Sequence, residues 1–349
     1  MLDEFIKRLP KNVDGALIVS PENRRYFTEF DASDGFLFAT KNGSVFLTDS
    51  RYIEAAKDKI NCCEVEEQKG KLIEYGKRFG CQVLAVEADR LTVTQLKNLR
   101  KALHGIKLTT VGTDKIIDSF RAVKSDEEIE NICKAQCIAE AALKHILGFI
   151  KIGVTEKEIA LELDHYMLSH GAEALSFETI AISGANTSKP HGVPTDKKIE
   201  DGDFVTMDYG AVVNGYHSDM TRTVAVGHVS DEQKKVYDTV LKAQLASLEI
   251  LRSGLKCSDG DKAARDIITE AGYGEFFRHS TGHGVGIEIH EKPNLSPKSA
   301  ATLCSGNIVT VEPGIYIPGK CGVRIEDMAL ITESGCKNLT NAPKELVIL

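Results

Sequence analysis

A chain of two unlike halves is what the sequence predicts: a smaller α/β domain over residues 1–122, then a larger α+β domain over residues 123–349. Three observations predict it. Short apolar runs alternate with helical stretches up to about residue 120. A helix-start signal follows at Ser125, and beyond it long helices interleave with strands joined as hairpins, the pattern of an α+β domain with helices outside and strands inside.

In order, Gly15-Ala16-Leu17-Ile18-Val19 reads as a strand and Pro21-Glu22-Asn23-Arg24 opens a helix. Gly35–Ala39 and Ser44–Thr48 flank Lys41-Asn42-Gly43 as a hairpin, a helix is expected from Ser50, Val83–Glu87 is a strand, and a further helix starts at Thr92. The domain boundary is expected within Phe120-Arg121-Ala122-Val123-Lys124. Ser125 with Glu128 three residues on forms a capping-box pattern, and apolar residues at helical spacing run to Ile150. Thr155-Glu156-Lys157-Glu158 opens a second helix, and two more open at Asp231 and Ser258.

The second half carries a recurring anomaly: carboxylates and one imidazole embedded in apolar, strand-like or Gly-rich runs. Asn214-Gly215 between apolar runs is a strong hairpin signal. Pairing outward from it sets Val213 opposite Tyr216 and Gly210 opposite Asp219, so Asp208 and Asp219 share a face on a diagonal. Two carboxylates there repel unless a cation lies between them, and glycine opposite Asp219 is expected to leave room for it. His283 in Thr281-Gly282-His283-Gly284-Val285-Gly286, Glu312 before Pro313-Gly314, and Glu326 in Val323-Arg324-Ile325-Glu326-Asp327 complete the set. Four carboxylates and one imidazole make a mostly hard-oxygen site without thiolates, suited to manganese or cobalt and also to zinc. Two divalent ions balance the four negative charges, so the segments are expected to converge on a dinuclear centre. Taken singly, each aspartate also reads as an ordinary solvent-facing strand residue.

Composition narrows the field. With 349 residues and 42% hydrophobic content the chain can build real cores. A formal net charge of -8 and no long basic run offer no footprint for nucleic acid, and no stretch approaches a membrane span. Met1–Arg8 is acidic where a secretory signal is basic, and nine cysteines lie at spacings of neither a zinc site nor a disulfide framework. A cytoplasmic protein with reduced thiols is the expectation.

His191 lies in the turn-rich Lys189-Pro190-His191-Gly192-Val193-Pro194, His279 four residues before His283, and His290 in Glu288-Ile289-His290-Glu291. Each is either a solvated histidine or a donor to a developing oxyanion. His290-Glu291-Lys292-Pro293-Asn294 lacks the second histidine of the helical zinc motif, and Gly282–Gly286 is no dinucleotide fingerprint because Ile287 takes the last glycine's place. Arg324 either anchors the ligand network or forms a surface ion pair.

These motifs resemble the pita-bread metallopeptidases, the group of methionine aminopeptidases, prolidases and Xaa-Pro aminopeptidases. Asn23–Phe30 and Thr48–Tyr52 are similar to the creatinase-type N-terminal domain. Thr281–Gly286, His290–Pro293 and Val323–Asp327 resemble the proline-peptidase branch. The resemblance implies a pita-bread catalytic domain behind a creatinase-type domain, and Asp208, Asp219, His283, Glu312 and Glu326 as ligands of two divalent metal ions. It also implies hydrolysis of Xaa-Pro bonds in peptides with proline second. Glu312 would move the proton, His290 and His191 would hold the carbonyl and the proline side, and His279 and Arg324 would line or anchor the substrate pocket. A homodimer is implied as well. Prolidases of this type often carry an arginine where this chain has Asn294, a position suited to clamping a dipeptide's carboxylate, with Lys292 or Arg324 as possible substitutes. The departure favours an Xaa-Pro aminopeptidase over a strict dipeptidase. A non-catalytic binding module on the same fold is the contrasting expectation; such relatives lose ligands that are all kept here.

Overall fold

The computed structural model describes residues 1–349, which divide into two compact units, Met1–Arg121 and Ala122–Leu349. In the first, six strands form one sheet in the spatial order Glu64–Glu67, Gly43–Thr48, Phe36–Thr40, Gly15–Ile18, Val83–Val86, Lys107–Thr109. Gly15–Ile18 runs antiparallel to the hairpin strand Phe36–Thr40 and parallel to Val83–Val86. The hairpin turns at Lys41-Asn42, with Thr40 opposite Gly43. Leu17, Phe38, Leu47, Leu84 and Val86 bury one apolar core there. Pro21 stands in the first turn of the helix Pro21–Thr28, where its missing N–H costs nothing, and Thr92 with Gln95 closes a capping box on Val93–Ala102. The helix expected from Ser50 starts later, at Ile53, because Asp49–Tyr52 forms a turn first.

In the second unit the paired strands all run antiparallel, with one isolated parallel bridge between Ala225 and Ile348. Ile180–Ser183, Phe204–Tyr209 and Met220–Ala225 make one sheet. Glu291–Leu295, Gly282–Gly284, Ile308–Val311, Asp327–Ile331 and Cys336–Asn338 make a second, and Gly314–Ile317 with Cys321–Arg324 a two-stranded ribbon. Helices Asp126–Ile146, Glu156–Ser169, Asp231–Ile250 and Cys257–Glu270 each bury one face and expose the other. Ser125, Thr155 and Ser230 close capping boxes with Glu128, Glu158 and Gln233, so three of the four helix starts are written locally. The first of these helices stops at Ile146, short of the expected Ile150, where the chain turns through Leu147-Gly148-Phe149. The last begins at Cys257, one residue before the expected Ser258. All nine cysteines are free, and no helix is long and apolar enough to cross a membrane.

Candidate metal centre

Asn214 and Gly215 both take positive φ, 48° and 75°, the backbone of a two-residue turn that matches strand twist. Val213 pairs with Tyr216 as the sequence predicts, and the same register continues to Tyr209 opposite Met220 and Asp208 opposite Thr221. Asp208 and Asp219 therefore approach from adjacent strands. Gly210 does not leave room for a cation: a Cβ there would lie 1.9 Å from the Ser218 carbonyl oxygen. Glycine is required at that position because the facing backbone fills the space.

Close backbone approach also brings in the imidazole. A Cβ on Gly282 would meet the Thr310 carbonyl oxygen at 1.8 Å, so the His283 strand lies hard against Ile308–Val311. Glu312 follows that strand directly, its N–H donating to the Thr281 carbonyl at 2.7 Å. Glu326 follows the ribbon strand ending at Arg324, and its N–H donates to the Thr221 carbonyl at 3.2 Å. One ligand atom each of Asp219, His283 and Glu326 lie within 4.8 Å of one another. His283 Nε2 lies 3.5 Å from Asp219 Oδ2 and 3.4 Å from Glu312 Oε1. Nδ1 of the same ring donates to the Gly284 carbonyl at 3.0 Å, which leaves Nε2 as a bare lone pair aimed at the carboxylates.

Burial sets the electrostatics. It pushes Glu312 up to about 8, with Asp208 adding to the rise, and drives Asp219 and Glu326 well above the usual carboxylate range, each also repelled by its acidic neighbours. It pushes His283 down to about 4. Arg324 is only 3% exposed, so the surface-pair expectation is wrong. Burial opposes its charge, but Tyr316, Asp208 and Glu312 hold it firmly protonated. Its Nη2 donates to Asp208 Oδ2 at 2.6 Å and its Nε to Thr221 Oγ1 at 3.0 Å; that hydroxyl in turn donates to Glu326 Oε2 at 2.6 Å. Asp208 Oδ1, also buried, has no partner at all. A lone carboxylate oxygen, a bare imidazole nitrogen and three carboxylates whose charge is disfavoured fit divalent cations, which would satisfy all of them at once.

The three other candidate histidines have distinct settings. His290 is exposed, its ring 4.4 Å from that of His283. His279 is fully engaged: Nδ1 donates to the Ser280 carbonyl at 2.8 Å, and Nε2 accepts from the Tyr316 hydroxyl at 3.0 Å, which itself accepts from Arg324 Nη1 at 2.8 Å. His191 is exposed on its loop, close enough to His279 to disfavour a charge there, and the Pro190 carbonyl before it accepts from Arg324 Nη1 at 3.2 Å. Sequence reasoning missed Tyr316, Thr221 and Thr310. Thr310 Oγ1 accepts from the His283 N–H at 3.1 Å and donates to Glu312 Oε1 at 3.2 Å. Each lies within five residues of a ligand inside an apolar run, the only signal available.

Comparison with known proteins gives this geometry a family. Residues 130–333 match Metallopeptidase family M24, and residues 7–123 match the Creatinase/Prolidase N-terminal domain. The chain is similar to an Xaa-Pro dipeptidase from Bacillus anthracis, with 42% identity, all of both chains covered and a TM-score of 0.95. It is 37% identical to the Xaa-Pro dipeptidase of Pyrococcus furiosus over 99% of each chain. An X-Pro aminopeptidase from Thermotoga maritima is 36% identical, covering 100% of this chain and 99% of that one, with a TM-score of 0.92. The chain therefore belongs to metallopeptidase family M24, in its pita-bread proline-peptidase branch, as a metallo-exopeptidase behind a creatinase/prolidase N-terminal domain.

Proposed function

We propose that the protein is an Xaa-Pro dipeptidase, cleaving the bond between a first residue and a following proline. The observation that carries the choice is full-length similarity to dipeptidases at 42% and 37% identity, against 36% for the aminopeptidase. This departs from the expectation drawn from Asn294. The second reading, an Xaa-Pro aminopeptidase acting on longer peptides, keeps one observation in its favour. Asn294 and Lys292 occupy the exposed positions of the strand Glu291–Leu295, and Asn294 offers no cation to a dipeptide's carboxylate.

In this reading residues 123–349 form the catalytic domain and residues 1–122 an accessory one, in a cytoplasmic homodimer. Asp208, Asp219, His283, Glu312 and Glu326 hold two divalent cations, manganese first, with cobalt and zinc as the alternatives. When bound, such cations polarise the scissile carbonyl and make water a better nucleophile at neutral pH. The chain's own residues do the rest. Glu312 takes a proton at its carboxylate and delivers it to the departing proline nitrogen. His290 and His191, the exposed imidazoles, orient the carbonyl and the proline side. His279, with both ring nitrogens engaged, serves as a wall of the pocket rather than a donor. Arg324 keeps one oxygen of Asp208 occupied so that the other stays free.

The test is hydrolysis of an Ala-Pro dipeptide and an Ala-Pro-Ala tripeptide by metal-loaded enzyme, with Glu312→Ala as control. Faster turnover of the dipeptide and a loss of at least about a hundred-fold in the variant are expected. Preference for the tripeptide selects the second reading. Absence of hydrolysis together with absence of bound transition metal leaves a binding module.

A further inference from the structure

We propose that Glu156 is a positioning residue, a buried carboxylate that clasps both ends of the segment 183–195 and thereby sets the place of His191. The inference rests on the role given to His191 above. Glu156 is 0% exposed and collects five hydrogen bonds, all from the two ends of that segment. Oε1 accepts from Ser183 N at 2.7 Å, Ser183 Oγ at 3.0 Å and Asn186 Nδ2 at 3.0 Å. Oε2 accepts from Thr195 N at 2.9 Å and Thr195 Oγ1 at 2.7 Å.

A role in starting the helix Glu156–Ser169 does not explain this arrangement. That helix is capped by Thr155 and Glu158, which satisfy the first turn between them. Glu156 points instead at a stretch with little core of its own: within 184–195 only Thr187 and Gly192 are buried. Such a stretch is placed by polar ties rather than by packing. Three others exist: Gly322 N to Thr187 Oγ1 at 2.7 Å, Arg324 Nη1 to the Pro190 carbonyl at 3.2 Å, and Lys157 N to the Thr195 carbonyl at 3.2 Å. The first two lie before His191 and the third is a backbone bond after it. After it the side-chain tie is Thr195 to Glu156, so the carboxylate closes the far side of the loop that carries the exposed imidazole.

Five donors facing one side chain demand an acceptor without hydrogens, which only an ionised carboxylate supplies. Burial pushes the carboxyl up, but the bonds from Thr195, Asn186 and Ser183 pull harder and leave it below the usual glutamate range. Glutamine is the informative replacement, since its NH2 group must face a donor whichever way it turns.

The experiment is a double-mutant cycle read as kcat and KM on an Ala-Pro dipeptide, with metal content measured in each protein. Glu156→Gln is expected to lower kcat/KM by about ten- to a hundred-fold, the scale on which small misplacements act, with metal content unchanged. In a His191→Ala background the same substitution is expected to cost little more. Equal losses in both backgrounds, or wild-type kcat/KM in Glu156→Gln, overturn the proposal. Thr195→Val, at an exposed residue, removes the hydroxyl's bond to Glu156 together with the one it accepts from Lys197 N at 3.1 Å, and covers a Glu156→Gln protein that does not fold: a smaller, equally background-dependent loss supports the clasp, and no loss overturns it. If His191→Ala itself keeps full turnover, the role of His191 fails separately. The clasp is then decided by amide hydrogen exchange over 184–195, where faster exchange in the variant supports it and unchanged exchange refutes it.

Discussion

His279 is held neutral by its surroundings. Burial first, and then the charge of Arg324 two hydrogen bonds away through Tyr316, lower its pKa to about 4, while the Ser280 carbonyl pulls the other way. In the unfolded chain the same ring titrates near about 6.5. Between those values the unfolded state binds more protons than the folded one, so stability falls as pH drops from about 6.5 towards 4. The full shift corresponds to about 3 kcal/mol. His279→Gln, which can keep one hydrogen bond, is expected to lose that part of the pH dependence. Urea denaturation of wild type and variant at pH 7 and pH 4, both in chelator, measures it: parallel losses in the two proteins contradict the assignment. The histidine's position was legible in the sequence. Its partner Tyr316, 37 residues away, was not, because nothing local in Gly314-Ile315-Tyr316-Ile317 marks a buried hydroxyl as a relay.

At the scale of elements, His191, His279 and His290 each lie on a segment pinned by a buried charge. Glu156 ties the His191 loop. Asp261 and Arg265 on the helix Cys257–Glu270 tie the stretch before His283: Asp261 accepts from Thr281 N and Oγ1, and Arg265 donates to the carbonyls of Phe277 and His279. Lys124 Nζ lies 3.1 Å from Glu291 Oε2, beside His290, with side chains 1% and 4% exposed. The sequence showed Glu291 only as half of a zinc motif that fails, and Lys124 only as part of a boundary. Helix starts and the Asn214-Gly215 hairpin were readable because they are local; the Lys124–Glu291 pair was not, because 167 residues separate its members. Removing Lys124 takes a counter-charge away from the buried Glu291 carboxylate, which keeps its bond from the Glu288 N–H at 3.1 Å. Lys124→Met is therefore expected to cost about 3–5 kcal/mol, whereas Lys124→Met with Glu291→Leu recovers most of it. Chemical denaturation of the single and double variants checks this, and a single variant as stable as wild type defeats it.

Across the whole second unit, the ligand strands are backed by the chain's last residues. Arg222 donates to the carbonyls of Glu326, Ala342 and Pro343 and to Asp327 Oδ1, and Leu349 N pairs with the Ala225 carbonyl. The five candidate ligand positions were readable as charges out of place in apolar runs; antiparallel register brings Asp208 beside Asp219 and the His283 strand beside the one before Glu312, and the bond from Glu326 N to the Thr221 carbonyl joins the two sets. The space around Gly210 was misread because hairpin geometry says which residues face each other, not how near the opposite backbone comes. Since residues 208–349 are joined around the acidic cluster, cations bound there should stabilise the unit as a body. Divalent ions at a hundred times their Kd add about 2.7 kcal/mol per site, worth roughly 2–4 °C in Tm per kcal/mol for a domain of this size. Enzyme dialysed against chelator is expected to melt several degrees lower than the manganese-loaded form and to regain the difference on reloading. Asp219→Ala, which leaves the outer framework intact, is expected to show little of that shift. Calorimetry with elemental analysis decides it: a melting temperature indifferent to metal in the wild-type protein means that the buried carboxylates are held together by protons alone.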